Sequence, residues 1–208
     1  MLSPMPQDAT APSARRRELL EAAYEYVLSN GLVGLSLRPL AAAVGSSPRV
    51  LVFLFGNKDG LVRALLSRAR VDELALLDDL RAAAGSGAAG LVDAAARIWV
   101  WLADERHRPV LRLWAEAYAQ SLIHVDGAWT GFARSTVEDW LEVLAEFQPE
   151  RERALPAAVA ERTVALAILR GGMLDLVATG DQDRVGAAVT AALERFRAAE
   201  SEGPAAHP

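Results

Sequence analysis

The chain has 208 residues, of which 52% are apolar, and its formal net charge is −5. It contains no cysteine, which excludes disulfides, thiolate metal sites and cysteine nucleophiles. Charged residues interrupt the apolar segments too often for a membrane span of about 20 residues. No basic leader precedes an apolar block. We therefore expect a cytoplasmic protein that does not associate with a membrane.

The N-terminal residues predict a disordered arm followed by a helix. Residues 1–12 are rich in proline, alanine and polar side chains, which is typical of a disordered segment. The first helix is predicted over residues 13–29, and Asn30-Gly31 ends it through a left-handed cap. Its apolar stripe consists of Leu20, Ala23, Tyr24, Val27 and Leu28.

Residues 36–61 predict two short helices joined by a tight turn. Ser36 is placed to cap the first of these helices with its hydroxyl group. Gly45 follows where a turn requires positive φ, and Ser47-Pro48 begins the second helix. The buried side of that second helix is predicted to consist of Leu51, Leu54 and Phe55. This spacing indicates a helix-turn-helix, whose second helix can enter the major groove of DNA.

The segment and the helix before it resemble the DNA-binding domain of the TetR family of bacterial transcriptional regulators, over about residues 14–70. The resemblance is carried by Ser36-Leu37-Arg38, Leu40-Ala41, Val44-Gly45-Ser46-Ser47 and Phe55-Gly56-Asn57-Lys58-Asp59-Gly60-Leu61. Two positions depart from the family's usual pattern. Val52 stands where family members usually carry a tyrosine, which removes a hydroxyl group that could bond phosphate. Ser46 stands where an apolar residue is common.

The resemblance implies a set of DNA contacts. Arg49, in the first turn of the recognition helix, is the candidate for reading guanine, with a phosphate contact as the alternative. Phe53 is a candidate to pack against a thymine methyl group or a sugar, and an interior position is the alternative. Arg38 and Lys58 are candidates for phosphate contacts. The complete set of DNA-binding candidates is Arg15, Arg16, Arg17, Ser36, Arg38, Ser46, Ser47, Pro48, Arg49, Phe53 and Lys58. For the three N-terminal arginines, a solvated run of charge is the alternative.

The charge is distributed unevenly along the chain. Residues 1–70 carry nine basic and five acidic side chains, a net charge of +4. The remaining residues carry 13 basic and 22 acidic side chains, a net charge of −9. A basic head on an acidic body favours a polyanionic partner at the head, although an ordinary solvated surface is the alternative.

The rest of the chain predicts helices, so we expect an all-α fold. A long fourth helix is predicted from about Asn57 to Ala84, where Gly85-Ser86-Gly87 interrupts the chain. Further helices are predicted over residues 88–103, 106–124 and 128–147. No segment alternates between apolar and polar residues, so strands are not expected.

The last two helices predict a dimer interface. The helix predicted over residues 157–178 is apolar on nearly every side from Val164 to Val177, interrupted mainly by Arg170 and Asp175. Its small residues Ala165, Ala167, Gly171 and Gly172 permit close approach of backbones. The final helix, over residues 181–197, has an apolar stripe of Val185, Val189, Ala192, Leu193 and Phe196. Two such helices from each subunit would form a four-helix interface with twofold symmetry. The alternative is the core of a monomer, and the resemblance favours the homodimer.

The central helices hold all five tryptophans. Clustered aromatic residues with a few polar neighbours, Glu116 among them, are typical of a pocket for a largely apolar small molecule. The resemblance implies an effector site of this kind, and the alternative is that the rings fill the core. The ligand-binding candidates are Trp101, Trp114, Tyr118, Trp129, Phe132, Trp140, Arg170 and Met173.

No motif predicts an enzyme. The sequence has neither a nucleophile elbow nor a phosphate-binding loop, and we expect no cofactor, catalytic site or metal site. The interpretation is a homodimeric, ligand-responsive transcriptional regulator that represses from a palindromic operator. It has an arm (1–12), a DNA-binding domain (13–70) and an effector-binding and dimerisation domain (71–208). The alternative is a dimeric helical protein that binds small molecules or proteins and has lost operator recognition.

Overall fold

The computed structural model describes residues 11–84, 90–124 and 126–202. Within these ranges the regular structure is entirely helical, which confirms the all-α prediction. The α-helices are α1 (Ala11–Asn30), α2 (Leu37–Ala43), α3 (Pro48–Phe55), α4 (Lys58–Ala84), α5 (Leu91–Ala103), α6 (Arg108–Ile123), α7 (Phe132–Glu146), α8 (Pro156–Thr179) and α9 (Gln182–Glu202). Short 3-10 turns precede α6 (Glu105–His107) and α7 (Gly127–Trp129).

The start of α1 corrects the predicted boundary of the arm. The helix begins at Ala11, so the last two residues of the predicted arm are helical. Proline is tolerated in a first helical turn because the backbone N–H that it lacks has no partner there. The rest of the predicted arm, and the interruption at Gly85-Ser86-Gly87, lie outside the described residues.

Other predicted boundaries also shift. The segment predicted as one helix over 128–147 is divided at Gly131, where φ is +76° and a right-handed helix cannot continue. The helix predicted over 88–103 starts at Leu91, and Gly90 is its N-cap. The segment predicted over 106–124 begins as a 3-10 turn, and its α-helix starts at Arg108.

The chain divides into two compact units. Of the described residues, the first unit comprises 11–72, 112–124 and 126–132. The second comprises 73–84, 90–111 and 133–202. Residues 112–132 therefore group with the helix-turn-helix, although the sequence places them in the effector-binding domain.

The core of the first unit is built on one side of α1. Its buried side chains are Leu19, Ala23, Tyr24 and Val27, whereas Leu20 and Leu28 of the predicted stripe are half-buried. The buried face of α1 therefore includes Leu19, and it is rotated slightly away from the stripe predicted from the sequence. From the other helices of this unit, the buried residues include Leu40, Ala41, Leu51, Leu61 and Leu65.

The second unit is built on the packing of α5, α8 and α9. α8 packs tightly against both α5 and α9 at Gly172. A Cβ atom there would lie 2.6 Å from Val189 Cγ2 of α9 and 2.9 Å from Trp99 Cζ3 of α5. A Cβ atom at Gly171 would have no neighbour within 4 Å. The predicted close packing therefore applies within the unit at Gly172 and not at Gly171.

Candidate nucleic-acid interface

The turn between α2 and α3 has the predicted geometry. Gly45 has φ of +61°, a left-handed conformation that favours glycine. Ser47 is the N-cap of α3, and its hydroxyl oxygen accepts a hydrogen bond of 3.3 Å from the Val50 N–H. Pro48 follows in the first turn, as its fixed φ predicts. The two helices bend by 102° across this turn.

The cap predicted for α2 is wrong in one respect. Ser36 does occupy the N-cap position, in an extended backbone conformation. Its hydroxyl group, however, makes no capping hydrogen bond. The Ser36 carbonyl oxygen still accepts from Leu40 N at 3.2 Å, so the helix starts there without help from the side chain.

One face of α3 is exposed. Leu51 and Phe55 are buried, and Leu54, predicted to be buried with them, is half-buried. On the opposite side Phe53 is 81% exposed, which rules out the interior position left open by the sequence. Arg49 lies on the same exposed side. The surface of this helix is therefore a guanidinium group beside an aromatic ring.

Four of the predicted DNA-binding residues line one open groove in the first unit. Ser36 and Arg38 come from the start of α2, Pro48 from the start of α3 and Lys58 from the start of α4. Leu35, Leu37 and Pro39 complete the lining. The groove therefore brings together the N-terminal ends of three helices and two cationic side chains. Backbone N–H groups and positive charge at helix N-termini are suited to anions such as phosphate.

The connection between α3 and α4 is very short. α3 ends at Phe55, and its C-cap Gly56 has φ of +84°. Asn57 Oδ1 then accepts a hydrogen bond of 2.7 Å from Gly60 N–H in the first turn of α4. A Cβ atom at Gly60 would lie only 2.0 Å from the carbonyl oxygen of Phe55. The close approach therefore requires glycine at this position.

The three N-terminal arginines have different surroundings. Arg15 forms an ion pair of 2.8 Å with Glu18, one turn along α1. Arg16 Nε donates to the Leu54 carbonyl oxygen at 3.3 Å, and its guanidinium lies 5.1 Å from the centroid of the Phe55 ring. Arg16 therefore supports the C-terminal end of α3. Arg17 is exposed on α1.

A polar network that the sequence did not predict joins α1 to α4. Tyr24 Oη donates to Asp72 Oδ2 at 2.7 Å, and Arg68 pairs with both Asp72 (2.6 Å) and Glu21 (2.8 Å). The Arg68 guanidinium also lies 4.7 Å from the centroid of the Tyr24 ring. Burial, and then the hydrogen bond to Asp72, raise the pKa of Tyr24 well above its usual value.

A second contact missed by the sequence fixes the loop between α1 and α2. Both oxygens of the Glu116 carboxylate accept backbone hydrogen bonds, Oε2 from Leu32 N–H at 2.8 Å and Oε1 from Val33 N–H. Glu116 was predicted as a polar neighbour of the ligand pocket. In the structure it ties α6 to the residues that precede the helix-turn-helix.

The eight ligand-binding candidates are shared between the units. Trp114, Tyr118, Trp129 and Phe132 belong to the first unit, and Trp101, Trp140, Arg170 and Met173 to the second. Trp114 and Trp140 are buried and the other six are half-buried. The Trp101 ring stacks on the His107 ring, with centroids 3.8 Å apart. This stacking covers one face of Trp101.

The last two helices differ in the exposure of their apolar residues, because α8 has an exposed apolar face and the stripe of α9 does not. Val164 and Leu174 of α8 are 46% and 47% exposed, respectively, and Ala167, Gly171 and Ala178 are also exposed. These five positions recur at steps of three and four residues, so they form one face of the helix. The predicted stripe of α9 is buried at Val185, Val189 and Leu193 and half-buried at Ala192 and Phe196.

Two negative findings apply to the described part of the chain. No group of three or more histidine, aspartate or glutamate side chains is arranged to hold a metal ion. No single helix there is long and apolar enough to cross a membrane, although α2 and α3 taken together reach that length and apolarity.

Comparison of the sequence with protein-family models and with curated proteins gives no match. Solved structures, however, share the fold. A protein from Rhodococcus sp. that is assigned to the TetR family of transcriptional regulators superposes with a TM-score of 0.64 at 18% identity, over 88% of this chain and 98% of its own. The multidrug binding protein EbrR, complexed with imidazole, superposes with a TM-score of 0.61 at 24% identity, over 92% and 97%.

The fatty acid degradation regulator FadR from Bacillus halodurans is also similar, with a TM-score of 0.58 at 15% identity, over 93% of this chain and 97% of its own. In all three cases nearly the whole length of both proteins is covered. At these identities the likeness establishes the fold.

Proposed function

We propose, from the premise that this chain has the fold of the TetR family of transcriptional regulators, that it is a DNA-binding repressor acting on a palindromic operator. One observation carries the proposal. A groove that brings together three helix N-termini, Arg38 and Lys58 lies in the same unit as the exposed face of α3 with Arg49. The net charge of +4 on residues 1–70 agrees with a polyanionic partner.

In this proposal, Arg49 reads a guanine in the major groove through its O6 and N7 atoms. Arg38, Lys58 and the helix N-termini hold the phosphates on either side, which fixes the register of α3. Ser46 and Ser47 lie at the turn before α3 and bond phosphate or base edges. Arg15 and Arg17 supply charge along the backbone. Arg16 acts indirectly, through its contacts with Leu54 and Phe55.

The second part of the proposal is a homodimer through α8 and α9. The apolar face of α8 that contains Val164 and Leu174 is exposed in a single chain, and a second copy would cover it. Two recognition helices related by twofold symmetry would then read half-sites about 34–36 Å apart. Leu174→Glu should convert the dimer to a monomer in analytical ultracentrifugation. Val100→Glu, at another exposed apolar residue, should not.

The third part is a response to a largely apolar small molecule. EbrR has been crystallised with imidazole and with proflavin, and aromatic residues are concentrated in this chain between positions 99 and 140. The residues proposed to bind such a molecule are the eight ligand-binding candidates. They are Trp114, Tyr118, Trp129 and Phe132 in the first unit and Trp101, Trp140, Arg170 and Met173 in the second. To change operator occupancy from 99:1 to 1:99, the ligand must prefer the non-binding conformation by about 5.5 kcal/mol.

The decisive experiment is selection of fragments from a genomic DNA pool by the purified full chain, at two salt concentrations. We expect enrichment of a palindrome, with an affinity that falls steeply as the salt concentration rises. Arg49→Ala should remove base preference at one position of each half-site, whereas Arg151→Ala, an exposed arginine in the second unit, should bind as the native protein does.

A rival function is that of a helical protein that binds small molecules or proteins and has lost operator recognition. It is favoured by the apolar surface of α3, where Val52 replaces the usual tyrosine of the family. A folded dimer that enriches no sequence at low salt would support this rival and reject the repressor.

A further inference from the structure

The exposed surface of α3 has an unusual composition for a helix that faces DNA. Phe53 is 81% exposed, and Val52 and Val50 are 41% and 37% exposed. Arg49 is the one residue of α3 with a polar side chain, since its sequence is PRVLVFLF. Covering these three apolar side chains on binding would be favourable, because it removes apolar surface from water.

The positions of these residues place them together. Arg49 and Phe53 are four residues apart and lie on the same face of the helix, opposite Leu51 and Phe55. Val50 and Val52 flank that face on either side. A groove that accommodates this helix would therefore meet one guanidinium group bordered by three apolar side chains.

The major groove offers few features that such a helix can read. Adenine N6 and N7 call for the amide of asparagine or glutamine, and cytosine N4 calls for an acceptor, and α3 has neither. Guanine is the base that suits Arg49, because its O6 and N7 atoms both accept hydrogen bonds from a guanidinium group. The apolar feature of the groove is the 5-methyl group of thymine, which apolar side chains contact.

We propose that Phe53, flanked by Val50 and Val52, reads the 5-methyl groups of thymines that lie next to the guanine bound by Arg49. The inference rests on the proposed DNA-binding function and adds the chemical class of the bases that α3 selects. It also explains why an apolar residue at position 52 is compatible with operator recognition. A hydroxyl group is replaced there by surface that packs against methyl groups.

The test removes the methyl group without changing any hydrogen bond. The operator recovered by selection is synthesised with uracil in place of thymine, first throughout and then at single positions. Binding of the full chain is measured by fluorescence anisotropy at fixed salt. We expect the affinity to fall about fourfold for each methyl group that Phe53 or its flanking valines cover.

A double-mutant cycle assigns the effect to the side chain. With Phe53→Ala, the thymine operator should bind at least tenfold more weakly, and uracil at the positions that Phe53 covers should then make no further difference. Leu122→Ala, which changes a residue of the same unit that is 65% exposed, should retain the full response to uracil.

The outcomes separate the two proposals. Specific binding with equal affinity for thymine and uracil operators would overturn the methyl readout and leave the repressor function standing. Uracil sensitivity that persists in Phe53→Ala would overturn the role of that residue. A folded protein that selects no DNA would overturn the repressor function and this inference with it.

Discussion

The carboxylate of Glu116 accepts a hydrogen bond of 2.8 Å from the backbone N–H of Leu32, a residue 84 positions earlier in the chain. Its other oxygen accepts from the next N–H, that of Val33. One side chain of α6 thus satisfies two successive amides in the loop before α2. The conformation of that loop, and with it the start of the helix-turn-helix, depends on α6.

Replacing Glu116 by alanine should destabilise the first unit by about 1–3 kcal/mol, because two loop amides lose a charged acceptor. Urea unfolding followed by circular dichroism measures the change. Glu25→Ala is the matched control, since Glu25 is an exposed glutamate of α1 in the same unit. Equal midpoints for the two variants would show that the Glu116 contacts contribute nothing to stability.

Gly60→Ala should be the most damaging glycine-to-alanine change among the described glycines. The added Cβ atom would lie 2.0 Å from the Phe55 carbonyl oxygen, and a backbone atom cannot move aside as a side chain does. We expect a loss at or above the upper end of the about 1–3 kcal/mol typical of overpacking. A thermal midpoint within one degree of the native value would contradict the close approach.

Gly172→Ala and Gly171→Ala form a matched pair of neighbours in α8. At Gly172 the new methyl group meets Val189 and Trp99, so stability should fall by about 1–3 kcal/mol despite the better helix propensity of alanine. At Gly171 the space is open within a single chain, so in the monomeric Leu174→Glu background, used for both variants, alanine should raise stability by about 0.5–1 kcal/mol. Urea midpoints that move in the same direction for both variants would reject this assignment of the packing.

Alkaline pH should destabilise the protein through Tyr24. An unfolded tyrosine titrates near pH 10, and the pKa of folded Tyr24 is raised above that by burial and by its hydrogen bond to Asp72. The stability from this proton is fully present below about pH 10 and is lost as the pH rises further, by up to about 1.4 kcal/mol per pH unit.

Tyr24→Phe should lose about 0.5–1.5 kcal/mol at pH 7 and show a smaller decline above pH 10. Tyr26→Phe is the control and should decline as the native protein does. Lysine side chains titrate in the same pH range as tyrosine, and Lys58 is the only lysine in the chain. Few other groups therefore contribute to the pH dependence of stability there. If the pH dependence of Tyr24→Phe matched the native curve, the source would have to be another group.

The features predicted correctly from the sequence are those set by local geometry. Gly45 and Ser47-Pro48 determine a turn through their own backbone preferences, so their positions could be read from the residues alone. The contacts of Glu116, Arg16 and Tyr24 could not, because each joins residues 38 or more positions apart. Nothing in the sequence around Leu32 indicates that its N–H needs a distant carboxylate.

The exposure of Phe53 could be predicted only in part, because the sequence indicates a helix there but not which of its faces is buried. The sequence Val50-Leu51-Val52-Phe53-Leu54-Phe55 is apolar throughout, so its pattern does not distinguish the buried face from the exposed one. The packing of Leu51 and Phe55 against the rest of the unit decides the rotation of α3, and Phe53 becomes exposed as a consequence.

The short connection between α3 and α4 has a mechanical consequence. Two residues separate the helices, the Asn57 side chain holds the first turn of α4, and Gly60 lies against the end of α3. These contacts restrict the backbone between the two helices, so a rotation of the first turn of α4 should rotate α3 with it. The orientation of α3 relative to α4 is then fixed in the free protein. Binding a partner should therefore cost α3 little conformational entropy.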